Sequence, residues 1–130
     1  MSTLKSINVV HPSSAVNNIV NDASGNVAVG GSIAAKAPST ISAATYSMLA
    51  TDSSLIFTTT NNTLTLLSAA SYSGRILYVK NITANSVTSA SSNVVPIGSA
   101  TAGTAILAAT AGKFAMLQSD GTNWIIMLAN

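Results

Sequence analysis

The sequence predicts an all-β protein: a jelly-roll-like β-sandwich over residues 41–130 behind an extended N-terminal arm over residues 1–40. Three observations predict it. Short apolar runs rich in β-branched and aromatic residues recur at spacings of about 8–12 residues between Asn, Asp, Ser and Gly turn signals, the pattern of sandwiches and jelly rolls. Helical periodicity is weak throughout, and Pro38 with the Ser and Thr of 32–50 argues against more than one helical turn there. Residues 112–129, GKFAMLQSDGTNWIIMLA, contain two strand-length apolar runs around a turn.

Taken in order, Ile7 to Val10 reads as a short strand or extended segment ending at His11-Pro12. Asn18 to Val20 and Val27 to Val29 flank Asn21-Asp22-Ala23-Ser24-Gly25-Asn26, a hairpin loop built on Asp, Ser and Gly. Gly30 to Thr40 is small, contains Pro38 and reads as a linker. The arm has too little apolar surface for a core of its own. Its Ile7, Val9, Val16, Ile19 and Val20 are the candidate attachment residues, ordered by strand pairing with another chain.

From Ile41 the pattern tightens. Candidate strands lie near Tyr46–Leu49, Leu55–Thr59, Thr63–Leu67, Arg75–Asn81, Val87–Ser89, Val94–Ile97 and Ala105–Ala108, with turns at Asn61-Asn62 and Ser73-Gly74. Phe114–Gln118 and Trp124–Leu128 then form the last hairpin. Its Asp120-Gly121 step predicts a type I′ turn, in which both central residues need φ > 0. Trp-Ile-Ile-Met-Leu does not alternate with polar residues, and a strand apolar on both faces must be covered on both faces. An oligomer interface follows as an expectation, with Phe114, Met116, Trp124, Ile126 and Leu128 shared between core and interface.

Composition narrows the function classes. At 130 residues the chain is one domain with an arm. Charged residues are 6% of it, against roughly 25% in ordinary soluble proteins. Glu is absent, and the acids are Asp22, Asp52 and Asp120. Such a surface of hydroxyls, amides and Ala fits a rigid extracellular or virion assembly better than a cytosolic enzyme. The cations Lys5, Lys36, Arg75, Lys80 and Lys113 are dispersed, whereas nucleic-acid binding needs clustered phosphate contacts. Without Cys there are no disulfides or thiolate metal sites. The start MSTLKSINVVHPS lacks the apolar core of a signal peptide. The uncharged stretch between Lys80 and Lys113 is too interrupted by polar residues, Gly and Pro to insert in a membrane.

Chemistry-bearing constellations are poor. His11 is the only imidazole, and no nucleophile-elbow motif accompanies it. Residues Asp22 to Asn26 lack the acidic ligands and closing Glu of a calcium loop. Gly98 to Gly103 is too sparse for a phosphate cradle. The sequons Asn61-Asn62-Thr63 and Asn81-Ile82-Thr83 read as coincidences of a Ser/Thr/Asn-rich chain. No cofactor, no metal and no enzymatic activity are expected, since three Asp without Glu scarcely furnish a catalytic acid pair.

Because charge is scarce, Arg75 and Lys80 are candidates for contact with a partner or a glycan. For Arg75, at the start of a strand, bonds to neighbouring carbonyls or a pair with Asp52 or Asp120 are the stronger expectation. Among the aromatics, Tyr46, Phe57, Tyr78, Phe114 and Trp124 sit in apolar runs and read as core or interface. Tyr72, before Gly74, is the one kept for a surface role.

An ordered set of motifs carries a resemblance. It runs Thr45-Tyr46, Thr51-Asp52 with Ile56, Thr63-Leu64-Thr65-Leu66 with Ala69-Ala70, Gly74-Arg75, Val79-Lys80-Asn81, Val87-Thr88 and Ser119-Asp120-Gly121-Thr122-Asn123-Trp124. In order and spacing residues 45–129 resemble the β domain that recurs in bacteriophage tail fibres, tail spikes and head-attached proteins. Leu67 departs from that pattern, where Pro is common, as does the low charge. HPSSAVNNIVNDASGNVAVGG is loosely similar to N-terminal segments of cyanophage structural proteins. The resemblance implies a homotrimer and a non-enzymatic virion role. A single module with a short arm then suggests a capsid decoration or cement protein bound to the major capsid protein or another virion protein. The alternative is a receptor-binding tip or short fibre on the tail or head, with a host-surface glycan as partner.

Overall fold

A computed structural model describes residues 19–130 except 22, 25, 30–32 and 60. Ile7, Val9, His11, Val16 and Asp22 therefore lie outside the described residues, as does the side chain of Val20. The chain divides into two units, Met1–Ala35 and Lys36–Asn130.

In the first unit, β1 (Ile19–Asn21) and β2 (Val27–Val29) form an antiparallel hairpin with Ile19 opposite Val29. Ile19, Val27 and Val29 are exposed.

The second unit is all-β, with two sheets and one short 3₁₀ turn at Ala70–Tyr72; no α-helix occurs among the described residues. Its strands are β3 (Ser39–Ile41), β4 (Thr45–Ser47), β5 (Ser54–Phe57), β6 (Asn62–Thr65), β7 (Ile76–Asn81), β8 (Val87–Ser89), β9 (Val94–Val95), β10 (Ala105–Leu107), β11 (Phe114–Ser119) and β12 (Trp124–Ala129). One sheet has the order β3-β5-β7-β11-β12-β9 and the other β10-β8-β6-β4. Both contribute to a single apolar core. Leu55, Phe57, Leu77, Val79, Leu117 and Trp124 of the larger sheet are buried with Leu64, Val87 and Ile106 of the smaller. The expected two-sheet, sandwich-like all-β architecture is present.

The path between the sheets is not legible from strand spacing. From β3 to β8 the chain alternates sheets at every strand. Thus β3, β5 and β7 pair in parallel in one sheet, while β4, β6 and β8 pair in parallel in the other. A parallel pair needs a long crossover, and here each crossover is itself a strand of the opposite sheet. Antiparallel pairing, the rule in a jelly roll, joins β7–β11, β11–β12 and β8–β10 within this unit, with one further bridge between Val94 and Gly103. Strand spacing has no signature for this choice, because a turn between two strands of one sheet and a bend between two sheets use the same residues.

Two local expectations need correction. Gly30 to Thr40 is not linker throughout: Ser39–Ile41 is β3, paired with Leu55–Phe57, and Ile41 is buried. Three residues carry too short a pattern to stand out beside Pro38. The last hairpin forms as predicted, but its turn is not type I′. Gly121 has φ of 92°, whereas Asp120 has no positive φ. The Asp120 Oδ1 instead accepts the Thr122 and Asn123 amides, both at 2.7 Å. Asp mimics a backbone turn in this way, and the four residues 120–123 then join the pair Ser119–Trp124.

Packing of the non-alternating run is decided by a β-bulge. Register shifts between Met116–Leu128 and Leu117–Ile126, so Met127 is the additional residue. Trp124 and Ile126 are buried and Ala129 packs against the core. Met127 and Leu128 are 52% and 53% exposed.

Candidate interaction surface

Three of the six charged residues among the described residues, Lys36, Asp52 and Arg75, meet at one corner. Asp52 is 1% exposed and lies in the turn between β4 and β5. Its Oδ2 accepts the Tyr46 hydroxyl at 2.8 Å and the Leu49 amide at 2.9 Å. The Oδ1 accepts the Ser39 hydroxyl at 3.0 Å and the Lys36 ammonium at 3.2 Å. Burial opposes ionisation of this carboxyl, but the Leu49 amide, the Tyr46 and Ser39 hydroxyls and Lys36 outweigh it and hold it below the ordinary carboxylate range. Burial and the adjacent carboxylate push the Tyr46 hydroxyl up.

Arg75 closes the same corner. Its Nη2 donates to the carbonyls of Ala50 at 2.9 Å and Asp52 at 2.6 Å. The bond to neighbouring carbonyls expected for Arg75 is therefore the one formed. The cluster joins β3, β4, the 49–52 turn and the start of β7, so it ties three successive windings of the chain.

A second tie is made of asparagines. Asn62, Asn81 and Asn85 are fully or almost fully buried. Asn62 donates to the Ala43 carbonyl at 2.7 Å and accepts the Asn85 amide at 2.7 Å. Asn81 donates to the carbonyls of Asn85 at 2.6 Å and Ala108 at 3.1 Å. These side chains satisfy backbone groups at the bends, where no ladder partner is available. Asn62→Ala would orphan Ala43 and Asn85 together, and the expected cost is about 2 kcal/mol, read as a lower urea midpoint. An unchanged midpoint would show that the bends hold without it.

Sequence reading missed both clusters as sites. Asn62 read as a turn residue, and it is instead the buried first residue of β6. A signal existed for Asn81: alternation in Ile76–Asn81 puts it on the face of Leu77 and Val79, which are buried. The sequon at Asn81 is consequently inaccessible in the folded chain.

The other candidate residues divide between two faces of the larger sheet. Trp124 and Ile126 are core. Met116 is half-buried and Phe114 and Leu128 are exposed, on the outward face. Lys80 is exposed, and it lies beside Phe114 at one end of that face. Tyr72 ends the 3₁₀ turn and is half-buried, and its carbonyl accepts the Arg75 amide at 3.0 Å. Tyr78 stands 52% exposed in the middle of the outward face, opposite Met116. Met116 in turn pairs with Leu128. At one corner Ile125, Met127, Gln118 and Asp120 line a shallow depression of about 330 Å³.

The outward face of the larger sheet exposes Ile76, Tyr78, Phe114, Met127 and Leu128. Asp52 is consumed by internal bonds, and Asp120 is held below the usual carboxylate range by the Asn123 and Thr122 amides of its own turn. No grouping of three His, Cys, Asp or Glu residues occurs among the described residues. No helix among them is long and apolar enough to cross a membrane. In comparisons with known proteins, the chain matches no family model, no curated protein and no solved structure. Fold and surface therefore define it as an all-β, two-sheet protein with an apolar outward sheet face.

Proposed function

We propose that the chain is a non-enzymatic structural part of a bacteriophage virion, a trimeric capsid decoration or cement protein that stabilises the head. The observation that carries this reading is the outward apolar face of a sheet whose windings are cross-tied by buried polar groups. A rigid module with an adhesive face and little free charge suits a part used in many copies, where weak contacts are multiplied by avidity. The ordered motifs shared with phage fibre and head-attached β domains support the same reading.

Attachment is assigned to the first unit, where among the described residues exposed Ile19, Val27 and Val29 lie on a two-stranded hairpin. Such a hairpin is marginal in water unless another surface completes it. Because β3 belongs to the second unit, the truncation belongs after Ala35 rather than after Thr40. Removal of residues 1–35 is expected to leave the remainder folded and to abolish binding to phage heads in a co-sedimentation assay. Truncated protein that decorates heads at full occupancy would make the β module the anchor. Binding of the full chain to host cells instead of heads would favour the receptor-binding tip.

A further inference from the structure

We infer that residues 36–41 are a releasable strap latched on Asp52, and that acid opens the latch while the rest of the second unit stays folded. The strap ends in β3, which lies at the edge of the larger sheet and pairs with β5 alone. Residues 36–38 and Thr40 are exposed, Ser39 is half-buried, and Ile41 is the strap's one buried side chain. So short an edge strand has little apolar burial to hold it, and such segments open locally before the core does. Besides the ladder to β5, it has two polar anchors. The Ile41 carbonyl accepts the Thr58 amide at 3.0 Å and the Thr58 hydroxyl at 3.1 Å. The other anchor is the Asp52 carboxylate.

The two oxygens of Asp52 hold different things. Oδ2 accepts the Leu49 amide and the Tyr46 hydroxyl, so it fixes its own turn and β4. Oδ1 accepts Ser39 Oγ and Lys36 Nζ, both from the strap. The turn has further support that the strap lacks. The Asp52 amide donates to the Leu49 carbonyl at 3.0 Å, and Arg75 holds the carbonyls of Ala50 and Asp52. A proton on the carboxyl therefore weakens the strap first. Lys36 loses its counter-ion and the Ser39 hydroxyl its charged acceptor, and charge-assisted bonds are roughly twice as strong as neutral ones. Tyr46, Lys36 and Arg75 are the titratable or charged groups packed around Asp52, which is the only carboxyl in the cluster. Its folded-state ionisation lies below the ordinary carboxylate range. The strap is thus held at neutral pH and loosens as the pH falls below about 4, through the folded value. Release bares the edge of β5 along Leu55, Ile56 and Phe57, open to pairing by another strand. It also frees roughly 20 Å of extended chain.

The test is amide hydrogen exchange on the full chain, comparing residues 39–41 with residues 76–81 inside the same sheet. At pH 7, Asp52→Asn is expected to speed exchange at 39–41 about tenfold and to leave 76–81 as in wild type. The asparagine amide keeps an acceptor for Leu49 but turns its NH2 toward the donors Ser39 and Lys36. Lys36→Met/Ser39→Ala leaves every bond to Oδ2 in place and is expected to do the same, so the result does not hang on the folding of one variant. In wild type, protection at 39–41, corrected for the intrinsic effect of pH on exchange, is expected to fall about tenfold between about pH 6 and about pH 3. In Asp52→Asn it is expected to stay level across that range. Unchanged exchange at 39–41 in both variants at pH 7 would overturn the inference. So would acid that strips protection from 39–41 and 76–81 together, since the whole unit would then be opening. An equal acid response in Asp52→Asn and wild type would also overturn it, because the latch would not be this carboxyl.

Discussion

Replacing Trp124 with alanine is expected to cost about 3–5 kcal/mol, the range for large-to-small changes in a close-packed core. Trp124 is 0% exposed and begins β12, where it pairs with Ser119 on one side and with Val94 in parallel on the other. Its indole N–H donates to the Leu67 carbonyl at 2.9 Å. Alanine would leave a cavity between the sheets and an orphaned carbonyl at the end of the segment after β6. The loss is a large fraction of a small domain's whole stability. The expected readout is a melting temperature lower by more than 10 °C. Trp124→Phe, which keeps most of the ring and loses only the hydrogen bond, is expected to cost about 1–2 kcal/mol. A melting temperature within a few degrees of wild type for the alanine variant would show that the core does not depend on this ring.

The second large effect belongs to Asp52. Asp52→Ala leaves the Leu49 amide and the Tyr46 and Ser39 hydroxyls without their shared acceptor. Lys36 loses an ion pair as well, though its side chain is 47% exposed and that contact contributes little. The expected cost is roughly 2–4 kcal/mol, dominated by the orphaned donors. The sign of the pH dependence follows from the lowered pKa. In the unfolded chain the carboxyl titrates near 3.9, and in the folded chain below that. The stabilisation is therefore fully present above about pH 4 to 5 and is lost as the pH falls through the folded value. Wild type is expected to lose melting temperature steeply in that acid window, and Asp52→Asn much less steeply. Parallel acid profiles for the two proteins would remove Asp52 from the account.

Some of this was open to sequence reading and some was not. The existence and approximate place of nearly every strand could be read, because a buried strand face demands apolar residues at every second position. The alternation in Ile76–Asn81 and in Phe114–Ser119 met that demand clearly. The turn at Ser73-Gly74 could be read for a related reason: Gly74 has φ of 79°, which residues with a Cβ rarely adopt. Three-residue β3 could not, since a short strand leaves too few positions for a period to show.

Within the candidate sites the division is sharper. Scarcity of charge marked Arg75 and Lys80, and Asp52 only as a possible partner of Arg75; that Asp52 takes in Ser39, Tyr46 and Lys36 was not legible. Asn62 and Asn85 carry no sign of burial in their neighbours, because what buries them is the bend of a coil lying next to theirs in space.

By itself the sequence determined the all-β class, most of the strands and the turn at Ser73-Gly74, since each follows from local periodicity or residue type. Tertiary structure alone decided which strands pair in parallel, which asparagines are internal and which side of Trp124–Leu128 faces out. Those depend on contacts between residues far apart in the chain, and on a bulge that adds one residue to a register only the paired strand defines.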